Sequence, residues 1–353
     1  MLQKALQEIV DSGFTGVQLR VHDERGEWVG SAGVGSAGVG RLGESAEPPT
    51  DGHCRIGSNT KTFIATLVLQ LVAEGRIGLD APVDEYLPEP GLDRRITVRM
   101  LLQHTSGVFN FTGEFYDDGT FTPGIPVTGR EWVDNRFKTH RPEELVRLAL
   151  SKPARFEPGT HWSYSNTNYV LAKLLIEKVA DCSLAEEMQR RILDPLGLSG
   201  TVAPYTQQDV PEPHAHAYYR YEDEDGRQKT VDVTRQNPSW ISGGGDMIST
   251  TRDLHTFISA LMSGKLLPAP LLAEMCRPHP KAGYGLGVFV QDTERGGTII
   301  THNGGITGHA ALMYSTPDGG KTLTAALNYV DDAAMSLAEP FQKVTRMLVR
   351  EVF

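Results

Sequence analysis

The stretch Ile56-Gly57-Ser58-Asn59-Thr60-Lys61-Thr62-Phe63 sets a hydroxyl and an amine three residues apart. Just beyond it, Phe63, Ile64, Leu67, Val68, Leu71 and Val72 recur at helical spacing, and Gly75 stands where such a helix stops. The pattern predicts a helix opened by Ser58. Residues three apart share a helix face, so the Lys61 amine stands beside the Ser58 hydroxyl, and the helix N-terminus adds backbone N–H groups and a partial positive charge. An activated serine needs a nearby base, and donors for the oxyanion that forms when its hydroxyl attacks a carbonyl. Ser-x-x-Lys also arises from an N-capping serine with a solvated lysine one turn on, so the pair alone does not carry a function.

Two further motifs bear polar side chains at predicted element ends. Tyr164-Ser165-Asn166 precedes a helical pattern over 169–179, and His302-Asn303-Gly304-Gly305 closes a predicted strand over 298–301. Either motif occurs by chance; their order and placement together with Ser58 and Lys61 give them weight.

The elements that must position these groups follow from periodicity. In residues 1–13, Leu2, Ala5, Leu6, Ile9 and Val10 share one face of an amphipathic helix. Val17, Leu19 and Val21 alternate up to Asp23-Glu24-Arg25-Gly26, and Trp28 and Val29 follow, so a hairpin starts the sheet. The Ser31-Ala32-Gly33-Val34-Gly35 stretch is repeated at 36–40, too short to be a structural unit. Helical patterns occupy 98–102, 143–150, 169–179, 184–193 and 251–262. Residues 285–290, 298–301, 310–314 and 323–329 read as strands, with Pro317-Asp318-Gly319-Gly320 as a turn, and a last helix buries Phe341, Val344, Leu348 and Val352. Residues 112–140 are a glycine- and proline-punctuated loop of lid length, and Glu222-Asp223-Glu224-Asp225-Gly226 within 203–238 is a solvated turn. The fold class is α/β in the α+β sense: a mostly antiparallel sheet flanked by helices, with an inserted helical lobe. Residues 1–57 and 240–353 would form the sheet lobe and 58–239 the helical lobe, with a site in the cleft between them.

A chain of 353 residues, 39% hydrophobic and 8% aromatic, buries a large core. Its net charge of −10 argues against nucleic acid or an anionic membrane as partner and for a small molecule or short peptide. Oligomeric state is not readable. Cys54, Cys182 and Cys276 are odd in number and far apart, giving neither a disulfide framework nor a metal knuckle, and no cofactor is expected. The first residues lack the apolar core of a secretory signal and no run reaches membrane-spanning length, which points to a cytoplasmic protein.

With these motifs in hand, the chain resembles the serine penicillin-recognising family: class C β-lactamases, actinomycete-type D-alanyl-D-alanine carboxypeptidases, D-aminopeptidases, D-amino-acid amidases and related esterases. The resemblance spans nearly the whole chain and includes Leu102-Gln103-His104-Thr105-Ser106-Gly107, Tyr164 to Tyr169, Gly243 to Thr251 with Asp253, and Tyr284-Gly285-Leu286-Gly287. It implies a β-lactamase/DD-peptidase-like fold and an acyl-enzyme on Ser58. Lys61 or Tyr164 would take the serine proton, which of the two remaining open, and Tyr164 would relay it to the leaving group and later activate water. Backbone N–H groups of Ser58 and Gly305 would form the oxyanion hole, Asn166 would donate to the substrate amide carbonyl, and His302 would complete the hydrogen-bonded cluster around Tyr164.

Departures from that pattern bear on substrate. Phe289 stands where the carboxypeptidases carry an arginine for the free carboxylate of a terminal D-alanine, and Asn303 and Gly305 replace threonines that bind it, so the resemblance implies Phe289, Asn303 and Gly304 as substrate-contact residues. A carboxylate there loses its charge-assisted partner. Weak carboxypeptidase and β-lactamase activity follows, with D-stereospecific amide hydrolysis favoured. An esterase, an acyl transferase or a non-catalytic binding protein on the same fold are the alternatives. A D-amino-acid amide presents an ammonium, for which Glu114 is the candidate acid, with Asp117 and Asp118 as competitors. His214 and His216 form a possible metal pair without an evident third ligand. Asp246 and Asp253 read as turn and cap residues, and Trp162 and Trp240 as cleft-lining or core residues.

Overall fold

Apolar strands from both ends of the chain meet in one six-stranded antiparallel sheet. The computed structural model describes residues 2–33 and 48–353. The strands are β1 (Gly16–Asp23), β2 (Gly26–Gly33), β3 (Phe289–Asp292), β4 (Thr298–Ile306), β5 (His309–Ser315) and β6 (Thr322–Asn328), in the order β2-β1-β6-β5-β4-β3. Every residue of β5 and β6 is buried, because both faces of the sheet are covered. Val17, Leu19, Leu312, Tyr314, Leu323 and Leu327 face α1 (Leu2–Asp11) and α5 (Ala338–Val352). On the other face, Ala311, Met313 and Ala326 join the larger core built around α2 (Thr60–Ala73), α3 (Asn166–Ala180) and α4 (Thr251–Met262).

Helix α2 is buried nearly all round, which is why its apolar residues are not confined to one stripe. Phe63 on α2 stacks on Phe257 of α4 with ring centroids 3.6 Å apart. Burying one such side chain contributes about 1.5–3 kcal/mol, so these contacts fix α2 against the sheet-packing helix. Helix α4 begins where the sequence predicts, capped by the Thr250 side chain accepting from the Asp253 N–H.

Several elements differ from the sequence expectation. Strand β4 does not stop at Thr301 but runs through His302-Asn303-Gly304-Gly305 to Ile306, paired with β5 throughout that stretch. Two successive glycines lower strand propensity, yet β5 supplies the ladder that holds them. Of 285–290 only Phe289 and Val290 are in a strand; Gly285 N donates to Val288 O, forming a turn. The helical reading of 169–179 misses one turn, since α3 starts at Asn166. The segment 184–193 is α-helical to Met188 and continues as a π-helical turn over Gln189–Leu193. The lid-length segment holds a short hairpin, Glu114–Phe115 with Phe121–Thr122, and a helix at Gly129–Asn135. The acidic run forms the solvent-facing tip of a hairpin between Tyr218–Glu222 and Gln228–Asp232, whose base is buried at Tyr218 and Tyr219. Of the duplicated five-residue stretch, Val34 to Gly40 lie outside the described residues. Among the described residues, no helix is long and apolar enough to cross a membrane.

Candidate active site

Ser58 lies in a 3-10 turn, Gly57–Asn59, that runs directly into α2. It makes no capping hydrogen bond, and Lys61 is fully buried, so the arrangement is not a capped helix with a solvated lysine. The turn is pressed onto the edge of β4. Gly57 has φ +49°, and a Cβ on it would stand 2.5 Å from Gly305 N. A Cβ on Gly304 would meet Ile56 O at 1.9 Å and Ser58 N at 2.8 Å. Only glycine lets these backbones approach, and their contact brings the Ser58 and Gly305 main chains together. Asn59 secures the join, its Nδ2 donating to Ile56 O at 3.0 Å and to Ala311 O of β5 at 3.1 Å.

Lys61 Nζ is the hub of the polar cluster. It lies 3.2 Å from Ser58 Oγ, 2.8 Å from Asn166 Oδ1 and 2.6 Å from Gly244 O. Burial depresses its pKa to about 7, opposed by the negative charge of Asp246. The Tyr164 hydroxyl is in hydrogen-bond contact with Ser58, and burial pushes the phenol above its ordinary range. Lys61 Nζ stands 4.8 Å from the Tyr164 ring centroid. Asn166 opens α3, and its orientation is set by Nδ2 donating to Thr112 Oγ1 at 3.3 Å.

His302 is buried on β4, but it does not hydrogen-bond Tyr164. Its Nδ1 contacts Asn303 O at 2.9 Å, and since a carbonyl only accepts, Nδ1 carries the proton. Nε2 then accepts from the Tyr284 hydroxyl at 3.1 Å. Burial and the Lys61 charge depress its pKa to about 3, so the imidazole is neutral. Tyr284 is the residue that sequence reasoning missed; it sits within a quoted motif, but no chemistry was attached to it. Its ring packs edge-on against Tyr164, 6.3 Å between centroids, while His302 reaches Tyr164 only as a ring neighbour at 6.5 Å. His104, held with φ 61°, lies beneath Tyr164 at 4.3 Å and Tyr284 at 4.9 Å. Its Nδ1 accepts from Ser165 N–H and from Asn168 Nδ2, so it is neutral with the proton on Nε2. Burial and the Lys61 charge hold its pKa well down.

Phe289 lies edge-on to Tyr284 at 4.6 Å and 5.5 Å from the His302 ring, an apolar wall beside the cluster. Asn303 does not join it. Paired with Leu312, it shares the sheet face of Tyr314, to whose hydroxyl its Nδ2 donates at 2.7 Å, so its expected substrate contact is corrected by strand alternation. Glu114 is neither solvated nor free. It is buried, with Oε1 accepting from Asn110 N–H at 3.0 Å and Oε2 3.5 Å from Arg155. Asn110 Oδ1 in turn accepts from the Asn166 N–H at 3.1 Å, linking Glu114 to the Lys61 cluster. Asp117 and Asp118 are exposed.

The remaining candidates lie elsewhere. His214 and His216 stand 5.2 Å apart, one against Pro211 O and the other 2.6 Å from Asp232. No group of three or more metal-ligating side chains occurs among the described residues. Asp253 accepts from Gly200 N–H and Thr201 Oγ1, and Trp240 donates to Gln236. Trp162 lines the back of the cluster, 6.1 Å from His104. The three cysteines are free.

A serine, lysine and tyrosine joined in this way where a helix meets a sheet edge fit a serine hydrolase with the β-lactamase fold. A family model described as Beta-lactamase matches residues 2–342, and the chain belongs to that family. Among solved structures it is similar to the D-stereospecific amidohydrolase from Streptomyces sp., with 38% identity and a TM-score of 0.80 over 92% of this chain and 93% of that one. It is also similar to the D-amino acid amidase from Ochrobactrum anthropi SV3 complexed with L-phenylalanine amide, with 26% identity and a TM-score of 0.79 over 99% of each chain. By sequence it is 27% identical over 300 residues to Penicillin-binding protein 4* of Bacillus subtilis (strain 168), covering 80% of this chain and 62% of that relative. The chain thus spans less than two thirds of that protein's length.

Proposed function

We propose that the chain is a D-stereospecific amidohydrolase that acts on short amides, D-amino-acid amides or D-amino peptides, through an acyl-Ser58 intermediate. The observation that carries the acyl-enzyme chemistry of this reading is the set of partners around Lys61. Asn166 Oδ1 and Gly244 O can only accept, so a neutral Lys61 gives them its two N–H bonds and directs its lone pair at Ser58 Oγ. Lys61 is then the base. The Ser58 oxygen bonds to the substrate carbonyl carbon while its proton passes to Lys61, and the oxyanion rests against the N–H groups of Ser58 and Gly305. Tyr164, kept as a phenol by burial, gives its proton to the departing amine nitrogen as the C–N bond breaks, and is reprotonated from Lys61. Water then repeats the attack on the ester with the roles reversed, returning the proton to Ser58.

Amide preference over a free-carboxylate substrate is supported by Phe289 and the neutral His302, which offer a carboxylate no cation. Glu114 supports an amino-acid acyl group: it accepts one full hydrogen bond and faces Arg155 at a longer distance, so its carboxylate keeps acceptor capacity for an ammonium. The similarity to the Streptomyces amidohydrolase and the Ochrobactrum amidase points the same way. The test is intact-mass detection of an acyl adduct on Ser58 across D- and L-amino-acid amides, esters and β-lactams. A D-amide adduct absent from the Ser58→Ala variant is expected; acylation by esters alone would replace the amidase reading with an esterase.

A further inference from the structure

Gly244 O, the shortest of the three contacts of Lys61, belongs to the turn Gly243-Gly244-Gly245-Asp246. That turn is closed by the side chain of Asp246, whose Oδ1 accepts from Gly243 N–H at 3.0 Å. Gly243 has φ +75°, and a Cβ there would stand 2.8 Å from Tyr169 O, so the turn is wedged against α3. Gly244 and Gly245 N–H both donate to Ile241 O, leaving the Gly244 carbonyl pointed at Lys61.

Asp246 itself is almost wholly buried, and no cation among the described residues lies at ion-pair distance from it. A buried carboxylate with only backbone and hydroxyl partners is costly to hold. The charged groups acting on it from the packed elements are Lys173 on α3, itself paired with Glu177 at 3.0 Å, Lys61 on α2, and Arg55 on the short strand Cys54–Arg55. Asp246 also reaches a cavity of about 350 Å³ lined by Arg141, Lys173, Glu177 and Tyr205, in which Ser58, Lys61 and Tyr164 take no part.

We propose that Asp246 is a positioning residue for Lys61: its carboxylate fixes the turn that presents the Gly244 carbonyl, and its charge sets how readily Lys61 releases a proton. The consequence for function rests on the reading of Lys61 as base. Burial raises the Asp246 pKa to about 6, still below that of Lys61 at about 7, so the carboxylate is mostly charged at the Lys61 midpoint and holds the lysine proton more tightly than burial alone would.

The experiment is a titration of ¹³Cε-lysine-labelled protein by NMR, with the Lys61 signal identified by its loss in Lys61→Met, beside the pH profile of kcat/KM for a D-amino-acid amide. Asp246→Asn keeps an acceptor for Gly243 N–H and removes the charge. The Lys61 midpoint is expected to fall by about 0.5 to 1 pH unit, with the acid limb of kcat/KM moving alongside. An unmoved midpoint overturns the proposal. A midpoint that moves while the limb stays leaves Asp246 in its role and overturns Lys61 as base. Should Asp246→Asn fail to fold, the reciprocal measurement decides: in Lys61→Met the Asp246 ¹³Cγ midpoint rises by a like amount if the two are coupled, and is unchanged if they are not.

Discussion

Lys61 Nζ lies closer to the Gly244 carbonyl oxygen, at 2.6 Å, than to the Ser58 hydroxyl, at 3.2 Å. The two acceptors of fixed sense therefore orient the amine, and the contact with Ser58 is the one left for its lone pair. Since burial places the Lys61 pKa at about 7, the working neutral form gains population as pH rises through that value. The kcat/KM profile is expected to climb through neutrality and level off above it, and Lys61→Met to lose about a thousandfold or more at the plateau. A profile flat from pH 5 to about 9 would exclude Lys61 as the titrating base.

Tyr164→Phe removes the proposed proton donor but leaves the ring packed on His104. Amide hydrolysis is expected to fall about a hundred- to ten-thousand-fold, and hydrolysis of a nitrophenyl ester, whose leaving group departs unprotonated, by much less. Equal losses on both substrates would place Tyr164 at the attack step instead.

Gly304→Ala forces a methyl group into Ile56 O, so a loss of at least about 3 kcal/mol is expected, read as a drop in melting temperature. Gly305→Ala is its control. The nearest atom to that added carbon is His309 O at 3.8 Å, and stability there should stay within about 0.5 kcal/mol.

Phe289→Arg returns a guanidinium to the wall beside His302. The ratio of kcat/KM for a peptide ending in a free D-alanine carboxylate to that for the matching amide should rise about tenfold. No change in the ratio would mean that the wall is not on the leaving-group side.

Glu114→Gln preserves an acceptor for Asn110 N–H while removing the charge. KM for a D-amino-acid amide should increase about tenfold, and KM for the same amide lacking the amino group should hold steady. If both rise together, Glu114 acts through Asn110 and Asn166 rather than on the ammonium.

Much of the frame was legible because periodicity reports burial: Leu6 and Ile9 of α1, and Val344 and Leu348 of α5, face the sheet as their spacing requires. The closeness of Ser58 and Lys61 was legible for the same reason, since one helical turn brings residues 58 and 61 together. What spacing could not reveal was anything set by tertiary pairing. His302 turns to Tyr284 because β4 continues past Thr301, and Asn303 leaves the cluster by the same alternation. Glu114 is buried because a hairpin of two-residue strands folds under Arg155, a feature too short to carry a hydrophobic pattern. The Gly244 carbonyl is a backbone group, and side-chain identity says nothing of where it points.

The near-touching main chains of Gly57 and Gly305 join the Ser58 turn to the sheet along a seam of backbone. A side chain at Gly57 or Gly304 would part the Ser58 turn from the strand, whereas Gly305 has room for one. A change of substrate that left this seam intact would therefore fall to the surrounding walls, at residues such as Phe289 and the hairpin that carries Glu114.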